Sequence, residues 1–149
     1  MSMFSSFDVN ASGMTAQRLR MDVISENVAN ANTTRTNDGT PYRRKVVTFS
    51  EKADTGIGSF SRVLGNVSSS YGIGKGVKVS NISEDHTTEM KMVYDPAHPD
   101  ADENGYVTYP NVNIVTEMTN LIDASRAYEA NATAFNASKS IALKGLEIR

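Results

Sequence analysis

The stretch Asp100-Ala-Asp102-Glu-Asn104-Gly105 has the residue types and spacing of the first half of a calcium loop, D-x-D-x-N-G. In such a loop alternate oxygens face one cation and the sixth-position glycine makes the turn. The twelfth position should supply a bidentate carboxylate and is Asn111, and the flanks read as a proline-rich turn and a strand. An Asx/Gly turn is therefore the expected role. His86 and His98 are the two histidines, and Asp95-Pro-Ala-His98-Pro-Asp100 brackets one of them with carboxylates. Pro96 and Pro99 stiffen that segment into a turn, and one imidazole is a thin basis for zinc or iron. Gly72-Ile-Gly74-Lys75-Gly76 lacks the Walker spacing, and neither Ser nor Thr follows Lys75, which leaves glycine-shaped turning. The Asn-x-Ser/Thr triplets at Asn10, Asn32, Asn66, Asn81, Asn131 and Asn136 follow from abundant Asn, Ser and Thr, and none is read as glycosylated. No nucleophile with a nearby base, and no carboxylate pair in an apolar pocket, can be picked out. Catalytic, cofactor and metal sites are thus expected to be absent, as is enzymatic activity.

The elements must then carry the function. The 149 residues suit one modest domain with long extensions. Lys and Arg number 15 and Asp and Glu 17, for a net charge of −2, so no basic excess favours nucleic acid or an anionic membrane. There is no cysteine, which removes disulfides, thiolate catalysis and thiolate-bound zinc. No apolar run approaches the ~20 residues of a membrane span. The first ten residues lack the positive and apolar regions of a signal peptide, so any export is expected to occur uncleaved and by another route.

Both ends carry seven-residue spacing. Phe7, Met14, Met21 and Val28, with Ala11, Ile24 and Ala31, predict a helix from about Phe4 to Ala31, which the Asn/Thr-rich stretch from Asn27 to Thr34 brings to an end. Ile114, Leu121, Tyr128, Phe135 and Ala142, with Met118, Ser125, Ala132 and Leu146 as a second row, predict a longer helix over 112–146 behind Pro110 and Asn111. Such a helix would reach roughly 52 Å. Alanines crowd its surface, and Val115, Ile122, Ile141 and Leu143 lie outside the main seam. Helices this long cannot bury all their apolar positions within a chain of this size, so the stripes read as an assembly surface.

Between them the period changes to two. Strands are expected at 42–49, 77–82, 89–94 and 106–109, and the Gly/Ser-rich stretch 51–76 reads as a loop. The expected class is mainly α with a small β-rich insert: a helix in 1–34, a β-containing middle over 35–110, and a second helix in 111–149, the terminal helices forming a coiled-coil-like domain. Charge divides unevenly. Residues 33–80 hold eight basic and three acidic residues, and 81–110 hold one basic and seven acidic. Such blocks are solvated surface or complementary patches between associating units.

Four segments resemble a known family. Asn27-Val-Ala-Asn30-Ala-Asn32-Thr33-Thr34 resembles the motif closing the N-terminal helix of bacterial flagellar axial proteins, the rod, hook and hook-associated group. Ser125-Arg126-Ala127-Tyr128-Glu129-Ala130-Asn131 resembles the matching C-terminal helix motif. The run from Asp95 to Asn113, together with Asp38-Gly39-Thr40-Pro41-Tyr42-Arg43, resembles a basal-body rod protein of the proximal rod. The resemblance implies a subunit exported unprocessed by the flagellar type III apparatus. It implies polymerisation with copies of itself and other rod proteins, inside the basal-body rings, into a torque-transmitting shaft around the export channel. Neither nucleic acid nor a small-molecule substrate is implied. Asn27, Asn30, Asn32 and Thr33 would cap and lock the first helix, and Arg126, Tyr128 and Asn131 would lie on the second. With Phe7, Met14, Met21, Val28, Ile114, Met118, Leu121, Phe135 and Leu146 they form the expected assembly interface. Two alternatives stand beside this reading: another rod component, and a calcium-responsive module built on Asp100 to Gly105.

Overall fold

The computed structural model describes residues 3–52 and 75–147. Two long helices, α1 (Met3–Ala29) and α2 (Ile114–Glu147), bracket four short strands: β1 (Lys45–Glu51), β2 (Val77–Glu84), β3 (Lys91–Tyr94) and β4 (Tyr106–Tyr109). The fold is mostly helical with a small β-containing middle, as the periodicity indicated. The glycine-rich stretch 53–74, with Asn66, Gly72, Ile73 and Gly74, lies outside the described residues.

The helices form an antiparallel hairpin. Phe7 meets Phe135 edge-to-face at 5.0 Å between ring centres, Gly13 faces Asn131, and Asn27 reaches Glu117. This register runs α2, at 34 residues against 27, past the start of α1 from about Ile141 onward. Asn113 caps α2: its side-chain oxygen accepts from the amides of Val115 and Thr116 at 3.0 and 3.3 Å, satisfying two of the orphan N–H groups of the first turn.

The row of α2 that faces α1 is Glu117, Ala124, Asn131 and Ser138, flanked by Leu121, Tyr128, Phe135 and Ala142. Ala124 and Glu117 are buried, whereas Met118 and Leu146 of the second row read from the sequence point to solvent. On α1 the most buried positions are Ala16, Val23, Ile24 and Asn27, with Met14, Met21 and Val28 half-buried beside them. The physical reason is close approach. Large apolar side chains hold helices apart, so the line of contact goes to small residues (Gly13, Ala16, Ala124) and bulky ones move to its edges.

β1 and β2 pair antiparallel, with a bulge where Thr48 opposes Asn81 and Phe49 opposes Val79. The pair rests on α1. Gly76, at φ +102°, leads into β2 where a Cβ would collide with the Ser12 hydroxyl, which accepts a bond from the Val77 amide at 3.1 Å. β3 and β4 form a separate antiparallel pair in which Val107 is fully buried. The Asp100 to Gly105 segment is the turn between them. Asp102 accepts from the Asn104 and Tyr106 amides, Gly105 adopts φ +78°, and Asp100 is held by Thr34 and Arg35.

Candidate assembly interface

Asn27, on the last turns of α1, is 1% exposed and uses its whole hydrogen-bonding capacity inside the chain. Its oxygen accepts from the Tyr42 hydroxyl and the Lys45 amide, both at 2.9 Å. Its nitrogen donates to the Lys45 carbonyl at 2.9 Å and to Glu117 at 3.1 Å. An aspartate here would lose both donors and set a second negative charge against Glu117.

Glu117 is equally buried, and its other oxygen accepts from Arg44 at 2.9 Å (Nε) and 2.8 Å (Nη2). Arg44 also lies 3.6 Å from Asp85, and its amide donates to Asn111, whose nitrogen bonds the carbonyls of Asp85 and Thr88. The result is one polar hub tying the end of α1, the start of β1, the turn after β2 and the first turns of α2. The hydroxyls of Thr87 and Thr88, then their amides, hold the Asp85 carboxyl far below the usual carboxylate range. Burial, with Glu26, Glu84 and Glu117 nearby, pushes the Tyr42 phenol up to about 12.

Next to the hub the other motif residues shape the chain's exit from α1. Asn30 donates to the Glu26 carbonyl at 3.0 Å, and its oxygen accepts from Thr33 at 3.1 Å. The Thr33 carbonyl takes the Tyr42 amide, while Asn32 is exposed. On α2, Asn131 donates to the Ala127 carbonyl at 2.8 Å and Arg126 is exposed. Glu117 and Arg44 did not stand out in the sequence, and Tyr42 and Asn111 did so only as members of a motif, a strand and a helix start. One signal was present: Glu117 falls in heptad register with Ala124 and Asn131, where a carboxylate demands a buried cation.

The outer face of α2 is a different surface. Ile114, Val115, Met118 and Ile122 follow one another along its first turns, 43, 74, 54 and 52% exposed. Ile141, Leu143 and Leu146 are exposed beyond the start of α1, Leu143 and Leu146 on one side of the helix and Ile141 on the opposite side, and Tyr128 stands at the seam's edge. Scattered apolar residues on a surface need no explanation, but rows at helical spacing on an element that already has a partner do. Of the charge blocks, Arg44 with Asp85 and Arg35 with Asp100 join the basic to the acidic stretch within the chain. Asp100 and Asp102 spend their carboxylates on protein donors, and no cluster of three metal-ligating side chains occurs among the described residues. The calcium alternative gains no support.

Residues 7–35 match the family described as flagella basal body rod protein, and residues 103–148 match the flagellar basal body rod FlgEFG protein C-terminal family. The chain is 48% identical to the flagellar basal-body rod protein FlgC of Bacillus subtilis, covering 99% of each chain. It is 47% identical to FlgC of Borreliella burgdorferi, over 99% of this chain and 98% of that one, and 39% identical to FlgC of Salmonella typhimurium over the same shares. The chain belongs to the FlgC family of flagellar basal-body rod proteins. Membership makes it a structural subunit of the flagellar basal body, associated with other basal-body components. The exposed rows of α2 are thus surfaces of a FlgC subunit whose setting is an assembly.

Proposed function

We propose that this FlgC chain polymerises helically through its terminal helices into the proximal rod, forming part of the torque-transmitting shaft and of the export-channel wall. Copies of itself, other rod proteins and the basal-body rings are its contacts, and it leaves through the flagellar type III export apparatus without cleavage. Residues 1–34 and 111–149 make the inner helical domain, and 35–110 make the contacts outside it. The observation that carries this reading is the apolar outer face of α2, left in solvent although the helix already has α1 as a partner. Torque passes between subunits through packed side chains, and a face of this kind supplies the packing once neighbours cover it.

The test separates folding from assembly. Leu121 is half-buried against α1, so substituting it perturbs the subunit as well, whereas Met118 and Ile122 face outward. Met118→Asp with Ile122→Asp should cost the monomer no more than about 1 kcal/mol of stability and leave its export intact, while rods fail to form. Normal swimming by the double variant would overturn the proposal.

A further inference from the structure

The apolar row along the first turns of α2 contains one atom that can be oxidised. Ile114, Val115 and Ile122 end in hydrocarbon, and Met118, three or four residues from each of them, sets a thioether at the centre of the row. Of the chain's seven methionines, Met92 and Met118 stand in solvent at 63 and 54%, whereas Met14, Met21 and Met90 are half-buried. The chain has no cysteine, so no thiolate of its own competes for an oxidant. A hydroperoxide that meets the free subunit therefore reaches Met92 and Met118 before Met14, Met21 and Met90.

We propose that Met118 is an oxidation site at which a hydroperoxide withdraws a free subunit from assembly, an inference that rests on the polymerising role above. The sulfur attacks one peroxide oxygen, and an S–O bond forms as the O–O bond breaks. The hydroxide released takes the proton from the S–OH group and leaves as water. Sulfur loses two electrons, the peroxide gains them, and a flexible apolar side chain becomes the polar methionine sulfoxide. In the free subunit the new oxygen is hydrated, because Met118 faces outward, and the helix hairpin is kept. Under a neighbouring subunit the same oxygen would be stripped of water among Ile114, Val115 and Ile122, whose side chains offer no donor. A buried acceptor without a partner is costly, so the modification acts on association and spares the fold. Met92 supplies the contrast. Lys91 and Val93 on β3 line the cleft beside the start of α2, and Met92 between them points to the other side of the strand. Thiol-dependent sulfoxide reductases reverse the step, which makes it a switch.

The purified full chain is treated with dilute hydrogen peroxide, and its sulfoxides are followed by peptide mass spectrometry. Met118 should convert several-fold faster than Met14 or Met21, and methionine sulfoxide reductases supplied with a dithiol should restore it. For the consequence, Met118→Gln, which fixes a polar side chain of similar length, is expressed together with the native chain. The two are counted in isolated basal bodies against their shares of the whole-cell protein. Met118→Gln is expected to be on the order of tenfold under-represented while unfolding at the native temperature, and Met92→Gln should enter in proportion. Equal rates at Met118 and Met14, a lowered unfolding temperature for Met118→Gln, or its entry in proportion would each overturn the inference and leave the rod role standing. Absence of the native chain itself from basal bodies would instead remove that role.

Discussion

A single buried carboxylate decides how the middle of this chain sits on its helices. Glu117 exchanges water for Arg44 and Asn27, and the arrangement holds only while each partner is present. Arg44→Ala leaves Glu117 buried with Asn27 alone and should cost about 3 kcal/mol in chemical denaturation, the low end for a buried pair because Arg44 is a quarter exposed. Tyr42→Phe leaves one acceptance site of Asn27 empty and should cost about 1 kcal/mol at neutral pH. Its pH dependence has a definite sign. The phenol's value is raised from about 10 in the unfolded chain to about 12 in the fold, so its contribution is complete below pH 10 and disappears as pH climbs to 12. The stability gap between the native chain and Tyr42→Phe should narrow across that window; a constant gap would show that burial does not act on the phenol.

Between the helices, small side chains set the spacing. Alanine at position 13 would gain up to ~1 kcal/mol of helix propensity, but its Cβ would stand 2.7 Å from the Asn131 oxygen and 2.9 Å from its Cγ. Asn131 is fixed by its bond to the Ala127 carbonyl, so the collision should win. Gly13→Ala is expected to lower stability by about 1 kcal/mol, and Gly13→Ala with Asn131→Ala should recover the loss, read by thermal unfolding of both variants. The same crowding explains why the sequence located two amphipathic helices correctly yet not the line along which they touch. Hydrophobic spacing reports where bulk recurs. Contact between the helices includes Phe7 with Phe135, which the spacing did mark, but its middle runs through Gly13, Ala16, Ala124 and Asn131, residues that carry little hydrophobic signal. The strand at 77–82 was legible by alternation and that at 106–109 as a short β-rich run, while β1 begins later than the strand expected from 42 because Tyr42 and Arg44 turn into the hub.

For the whole molecule, protection should be graded. Around the hub, Val23, Ile24, Asn27, Glu117 and Ala124 are buried, whereas the residues from Ile141 onward have no α1 beside them. Hydrogen exchange of the isolated chain should therefore be slowest at the hub and fast at the end of α2, and assembly should slow the latter. Equal protection at both places in the monomer would contradict an incomplete surface. The sequence by itself determined the two terminal helices, the β-containing middle and the family resemblance, because periodicity, turn residues and motif spacing are local properties written along one chain. Only the tertiary structure decided that Asn27 and Glu117 meet, that Arg44 closes their hub, and which apolar residues of α2 remain outside. Those outcomes depend on the register of two helices whose paired residues lie 90 positions apart, and no local pattern encodes such a distance.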